Sequence, residues 1–70
     1  MKIVFSIHLK ERLDFRKISE EEVIDTIRFP FHITKNHGKH FYQKKLQRGM
    51  IEVCCEITER DIKVITVYWV

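Results

Sequence analysis

Apolar positions change their period along the chain, and the changes divide it into elements. Leu9 and Leu13 are spaced i,i+4, so residues 7–15 predict a short helix with Ser6 as N-cap. His8, Arg12 and Arg16 stand on the adjacent stripe of that helix, each rotated only slightly from the last. Ser19-Glu20-Glu21-Glu22 predicts a second helix, with Ser19 as N-cap and Glu22 at the third helical position of a capping box. Ile18 and Val23 take the two places of a hydrophobic staple. Three glutamates meet the positive end of the helix dipole. Val23, Ile24 and Ile27 form the apolar face, and Pro30 stops the helix. Ahead of both helices, residues 2–6 read as a short strand or an extended entry.

From Phe31 the period becomes two. Asn36-His37-Gly38 predicts a turn, because Gly38 can adopt positive φ. Residues 39–47 form the next strand, and Arg48-Gly49 the next tight turn. Between Met50 and Thr58, Ile51, Val53, Cys55 and Ile57 share one face, while Glu52, Cys54 and Glu56 share the other. That alternation marks a half-buried strand. After a turn at Glu59-Arg60-Asp61, residues 62–70 are apolar on both faces, which predicts a central strand. Short connections favour consecutive antiparallel neighbours. The expected fold is α+β: one or two N-terminal helices packed on an antiparallel sheet of about four strands. Residues 1–70 form a single domain in this reading.

Composition narrows the setting. With 44% hydrophobic residues, the chain is too apolar for disorder. No apolar run approaches the roughly 18 residues of a membrane helix, and the start is too short in apolar residues for a signal peptide. Cys54 and Cys55 are adjacent, so on a strand they face opposite ways. They read as reduced thiols of a cytoplasmic protein, and no zinc spacing accompanies them. No metal or cofactor is expected. A domain below about 80 residues gains only a few kcal/mol from one core, so a dimer or a dedicated partner protein is a natural expectation.

The net charge of +3 is small, but its distribution is uneven. No Asp or Glu occurs from Phe31 to Ile51, where Lys35, Lys39, Lys44, Lys45 and Arg48 surround Phe41 and Tyr42. Cations interleaved with aromatics suit RNA, through phosphates and stacked bases. Lysines guarding a solvated sheet edge are the alternative.

The spaced residues Ser6-x-His8-x-x-x-Arg12-Leu13-x-x-Arg16-x-Ile18-Ser19-x-x-x-Val23-x-x-x-Ile27-x-x-Pro30 resemble the opening of a family of small prokaryotic domains of unknown function. Phe41-Tyr42-x-Lys44 and the closing Ile62-Lys63-Val64-Ile65-Thr66-Val67-Tyr68 are similar to that family's sheet signatures. Those domains look like relatives of RelE and BrnT-type toxins. The resemblance implies a RelE-like fold and a toxin-antitoxin role, with a ribonuclease toxin held by an antitoxin protein.

RNA cleavage without a metal needs a base for the ribose hydroxyl, an acid for the leaving oxygen, and cations for the phosphate. His8 is the first candidate, since histidine is the side chain that ordinarily titrates near neutral pH. Arg12 and Arg16 supply planar, multiply donating cations. Tyr42 and Thr66 add hydroxyls if their strand faces meet the helix stripe. Each residue also has a bland role: a polar helix edge for the stripe, cross-strand packing for Tyr42, ordinary β propensity for Thr66. Three functions follow as expectations. One is a RelE-like, metal-independent endoribonuclease; another is a non-catalytic RNA-binding module using residues 32–48. The third is a protein-interaction domain pairing through its last strand or Trp69. RNA, an antitoxin and a second copy of the chain are the corresponding partners.

Overall fold

A computed structural model describes residues 1–70. Its elements run β1 (Lys2–Phe5), α1 (Ile7–Arg16), α2 (Glu20–Arg28), β2 (His32–Asn36), β3 (Lys39–Leu46), β4 (Gly49–Ile57) and β5 (Asp61–Trp69). Local chemistry sets the helix ends. The Leu9 amide donates to Ser6 Oγ at 3.0 Å. At the other end of α1, Lys17 takes a left-handed φ of 61°, the Lys17 amide donates to the Asp14 carbonyl, and the Ile18 amide donates to the Leu13 carbonyl at 3.0 Å. This is a Schellman closure, with buried Leu13 and Ile18 at its hydrophobic positions. It delivers the chain straight into the α2 capping box. There the Glu22 amide donates to Ser19 Oγ, and the Ser19 amide donates to Glu22 Oε1.

The sheet has five strands in the order β1-β5-β4-β3-β2, and it is mixed. The three pairs among β2 to β5 are antiparallel, as tight connections require. By contrast β1 lies parallel to β5, with Lys2 opposite Asp61 and Phe5 opposite Val64. The expectation of a sheet of about four antiparallel strands is corrected on this point. The first and last strands meet only after the whole chain has been traversed, so no local turn signal announces the pair. The β2–β3 turn has positive φ at His37 (51°) and Gly38 (76°), the geometry whose twist suits a two-residue hairpin. In the next hairpin Gln47 and Arg48 form the turn and Gly49 already opens β4, one residue from the predicted place. Gly49 has φ +142°, and a Cβ there would lie 3.4 Å from the Trp69 ring.

One apolar layer joins the helices to the sheet. Leu9, Leu13, Ile18, Val23 and Ile27 pack with Tyr42, Ile51, Val53, Cys55, Val64 and Val67. Within α2, Thr26 is buried and Ile24 only half-buried. The Thr26 hydroxyl donates to the Glu22 carbonyl at 2.7 Å, so its polar atom is satisfied within the helix. β5 is interior, between β1 and β4, but only one of its faces is buried. A register shift pairs Cys54 with Thr66 and Cys55 with Val64, leaving Ile65 unpaired and 43% exposed. Val64 and Val67, three residues apart, therefore reach the same core. The opposite face of the sheet carries no helix. None of the helices is long and apolar enough to cross a membrane.

Candidate nucleic-acid interface

Strand register divides the singled-out residues between two faces. On β3, Tyr42 lies opposite Val53 and Lys44 opposite Ile51, so both belong to the helix-covered side. Thr66 lies opposite Cys54, the next residue along β4, and belongs to the helix-free side with Tyr68. Tyr42 and Thr66 are thus separated by the thickness of the sheet. Tyr42 is only 7% exposed, and burial raises its pKa above the ordinary phenol value. Its ring stacks on His40, with centroids 6.2 Å apart.

The α1 stripe is divided as well. His8 and Arg12 are exposed. Arg16 is half-buried and donates from its guanidinium to the Val67 carbonyl, while the Trp69 indole N–H donates to the Arg16 carbonyl at 3.0 Å. These bonds fasten the end of α1 to β5 beyond the point where β1 stops pairing. Trp69 belongs to this fastening and packs against the core. The structure therefore does not gather His8, Arg12, Arg16, Tyr42 and Thr66 around one point.

The basic segment splits according to its distance from α2. Lys44 Nζ lies 3.3 Å from Asp25 Oδ2 and donates to the Phe29 carbonyl at 2.8 Å. Arg48 donates to both Glu22 oxygens at 2.9 and 3.0 Å and to the Lys17 carbonyl, and its guanidinium lies 5.5 Å from the Trp69 ring centre. The Arg48 hydrogen bond is the main reason the Glu22 carboxyl sits below its ordinary pKa, and the bond raises Arg48 in turn. Lys35, Lys39 and Lys45 belong to no ion pair. Lys39 and Lys45 lie on the helix-free face, and Lys35 lies on the other.

The helix-free face gathers residues that lie far apart in the sequence. Phe41, Cys54 and Thr66 form one cross-strand row, and Gln43, Glu52 and Tyr68 form the next. Gln43 Nε2 donates to Glu52 Oε1 at 2.8 Å, and the Tyr68 hydroxyl donates to Glu52 Oε2. That second bond pushes the Tyr68 phenol up to about 12. Glu52 is thereby held as the acceptor of a fixed polar row. Lys2, Lys39, Lys45 and Lys63 share this face with Glu52 and Glu56. Phe41-x-Gln43-x-Lys45, read with period two against Glu52-x-Cys54-x-Glu56, is the signal that could have assembled it.

A family model described as a domain of unknown function, DUF4258, matches residues 5–69. The chain belongs to this family. No curated protein and no solved structure matches it. Membership in DUF4258 assigns no activity, and nothing in these comparisons links the chain to RelE or BrnT toxins.

Proposed function

We propose that this DUF4258 chain is an RNA-binding module whose helix-free sheet face receives single-stranded RNA without cleaving it. The observation that carries the reading is the combination on one uncovered face of Phe41 and Tyr68 with the unpaired cations Lys39 and Lys45. Lysines attract phosphates by Coulomb force and counterion release, while aromatic faces accept stacked bases of any sequence. Glu52 and Glu56 keep their negative charge on this face, but Lys2, Lys39, Lys45 and Lys63 outnumber them, and Glu52 is fixed in place by Gln43 and Tyr68. Cleavage needs base, acid and phosphate ligand within reach of one ribose-phosphate. The placement of Tyr42 and Thr66 on opposite faces of the sheet, with Arg16 tied to the Val67 carbonyl, favours binding over a RelE-like endoribonuclease.

The test is fluorescence anisotropy with a labelled single-stranded RNA across a salt series. Affinity falls with salt, and Lys39→Ala with Lys45→Ala lowers the log–log slope by about 0.7 per lost contact. Binding that ignores salt and both lysines would overturn the proposal. RNA fragments that disappear in a His8→Ala variant would reinstate the ribonuclease.

A further inference from the structure

We propose that β2 is a docking edge for an extended acidic segment of another protein, which adds to the sheet as a sixth strand. Three observations converge there. First, β2 ends the sheet order, and all five of its residues are exposed. Its two-residue turn makes Asn36 and Lys39 the closing hydrogen-bonded pair, so by strand alternation the N–H and C=O of Ile33 and Lys35 point away from β3. The free part of β5 is treated differently, because Arg16 occupies the Val67 carbonyl there.

Second, Phe31, whose amide donates inward to the Gln43 carbonyl at 2.7 Å just ahead of β2, and Ile33 within β2 are 76% and 47% exposed. Apolar side chains beside free backbone donors and acceptors suit a peptide strand. A phosphate backbone would gain nothing from them. Third, the region contains no carboxylate from Phe31 to Ile51, and Lys35 has no ion-pair partner.

Charge selects the occupant. In an antiparallel pairing of two β2 strands centred on Thr34, each Lys35 would face the Ile33 of the other copy. Neither strand would offer an acid, so Lys35 guards the edge against a second copy. A foreign strand with apolar residues opposite Phe31 and Ile33 and a carboxylate opposite Lys35 turns that guard into a contact. The required pattern is apolar-x-apolar-x-acidic, with main-chain bonds supplying affinity and alternate side chains supplying selection. This inference concerns the edge and stands independently of RNA binding on the sheet face.

The probe is the synthetic peptide Glu-Ser-Val-Ser-Val-Ser-Glu, which presents the pattern in either direction, titrated into the isotope-labelled full chain and followed by amide NMR shifts. We expect saturable shifts centred on Ile33 and Lys35. Methylating the amide nitrogens of the peptide's valines abolishes them. Lys35→Glu weakens binding about tenfold. Ile33→Pro removes an outward N–H while leaving the β2–β3 ladder intact, and also abolishes binding. No saturable shift, equal binding of the methylated peptide, shifts centred on Phe41 and Lys45, or peptide-free sedimentation as a β2-paired dimer would each overturn the proposal.

Discussion

The two ends of the acid-free segment both carry lysines, and those lysines meet different fates. At one end, Lys44 and Arg48 lean on Asp25 and Glu22 of α2, above strand residues that are among the most buried in the protein. At the other, β2 extends past the helices, exposes every residue, and leaves Lys35 and Lys39 unpaired. Neither cation type nor β propensity distinguishes the ends. What differs is the reach of one nine-residue helix. Where α2 overhangs the sheet, its carboxylates tie Lys44 and Arg48 on their own side, while Lys45 on the helix-free face stays unpaired. Beyond it, the same chemistry stays available to a ligand.

Two isoleucines give the comparison its largest test. Ile51 is 0% exposed and Ile33 is 47% exposed. Ile51→Ala should cost about 2–5 kcal/mol through lost burial and a residual cavity. Ile33→Ala should stay within about 0.5 kcal/mol. Denaturant unfolding of both variants measures the contrast, and equal losses would mean that β2 is covered after all.

Acid unfolding sharpens it next. The folded-state pKa of Glu22 is depressed, so its contribution is present above its ordinary 4.5 and is lost as pH falls below that value. Arg48→Ala should flatten this acid-side slope, whereas Lys39→Ala should leave it unchanged. The helix-free face has a signature of opposite sign. Tyr68 is raised from 10 to about 12, so its bond to Glu52 stabilises the fold fully below pH 10 and is lost as pH rises toward 12. Phenolate absorbance should show this late titration, and Tyr68→Phe should remove it. The smallest expected effect is on stability in Lys39→Ala and Lys45→Ala, within about 0.5 kcal/mol, even where RNA affinity falls. A larger loss would place those lysines among the structural cations.

Much of the architecture was legible because its causes are local. Ser6, Ser19 and Glu22 satisfy amides within three residues, Pro30 cannot continue a helix, and Gly38 tolerates positive φ wherever it occurs. The alternation of β4 likewise identified its core face, with Ile51, Val53 and Cys55 buried. Cys54 on the other face is only 4% exposed, because the period-two rule sees the helix layer but not lateral neighbours such as Phe41 and Thr66. The candidate site was harder to read. Helical spacing aligned His8, Arg12 and Arg16, but spacing carries no information about what lies opposite. Arg16 found an unpaired strand carbonyl, while His8 and Arg12 found solvent.

By itself the sequence determined the helices, their N-caps, the first hairpin turn and the second to within one residue, the alternation of β4 and the acid-free segment, since each follows from groups within a few residues. Only the tertiary structure decided that β1 pairs with β5, that Tyr42 and Thr66 lie on opposite faces, and which lysines are bound and which are free. Those outcomes depend on contacts between distant segments. A one-residue difference in register sends a side chain to the other side of a sheet, and a few ångströms decide whether a lysine meets a carboxylate or water.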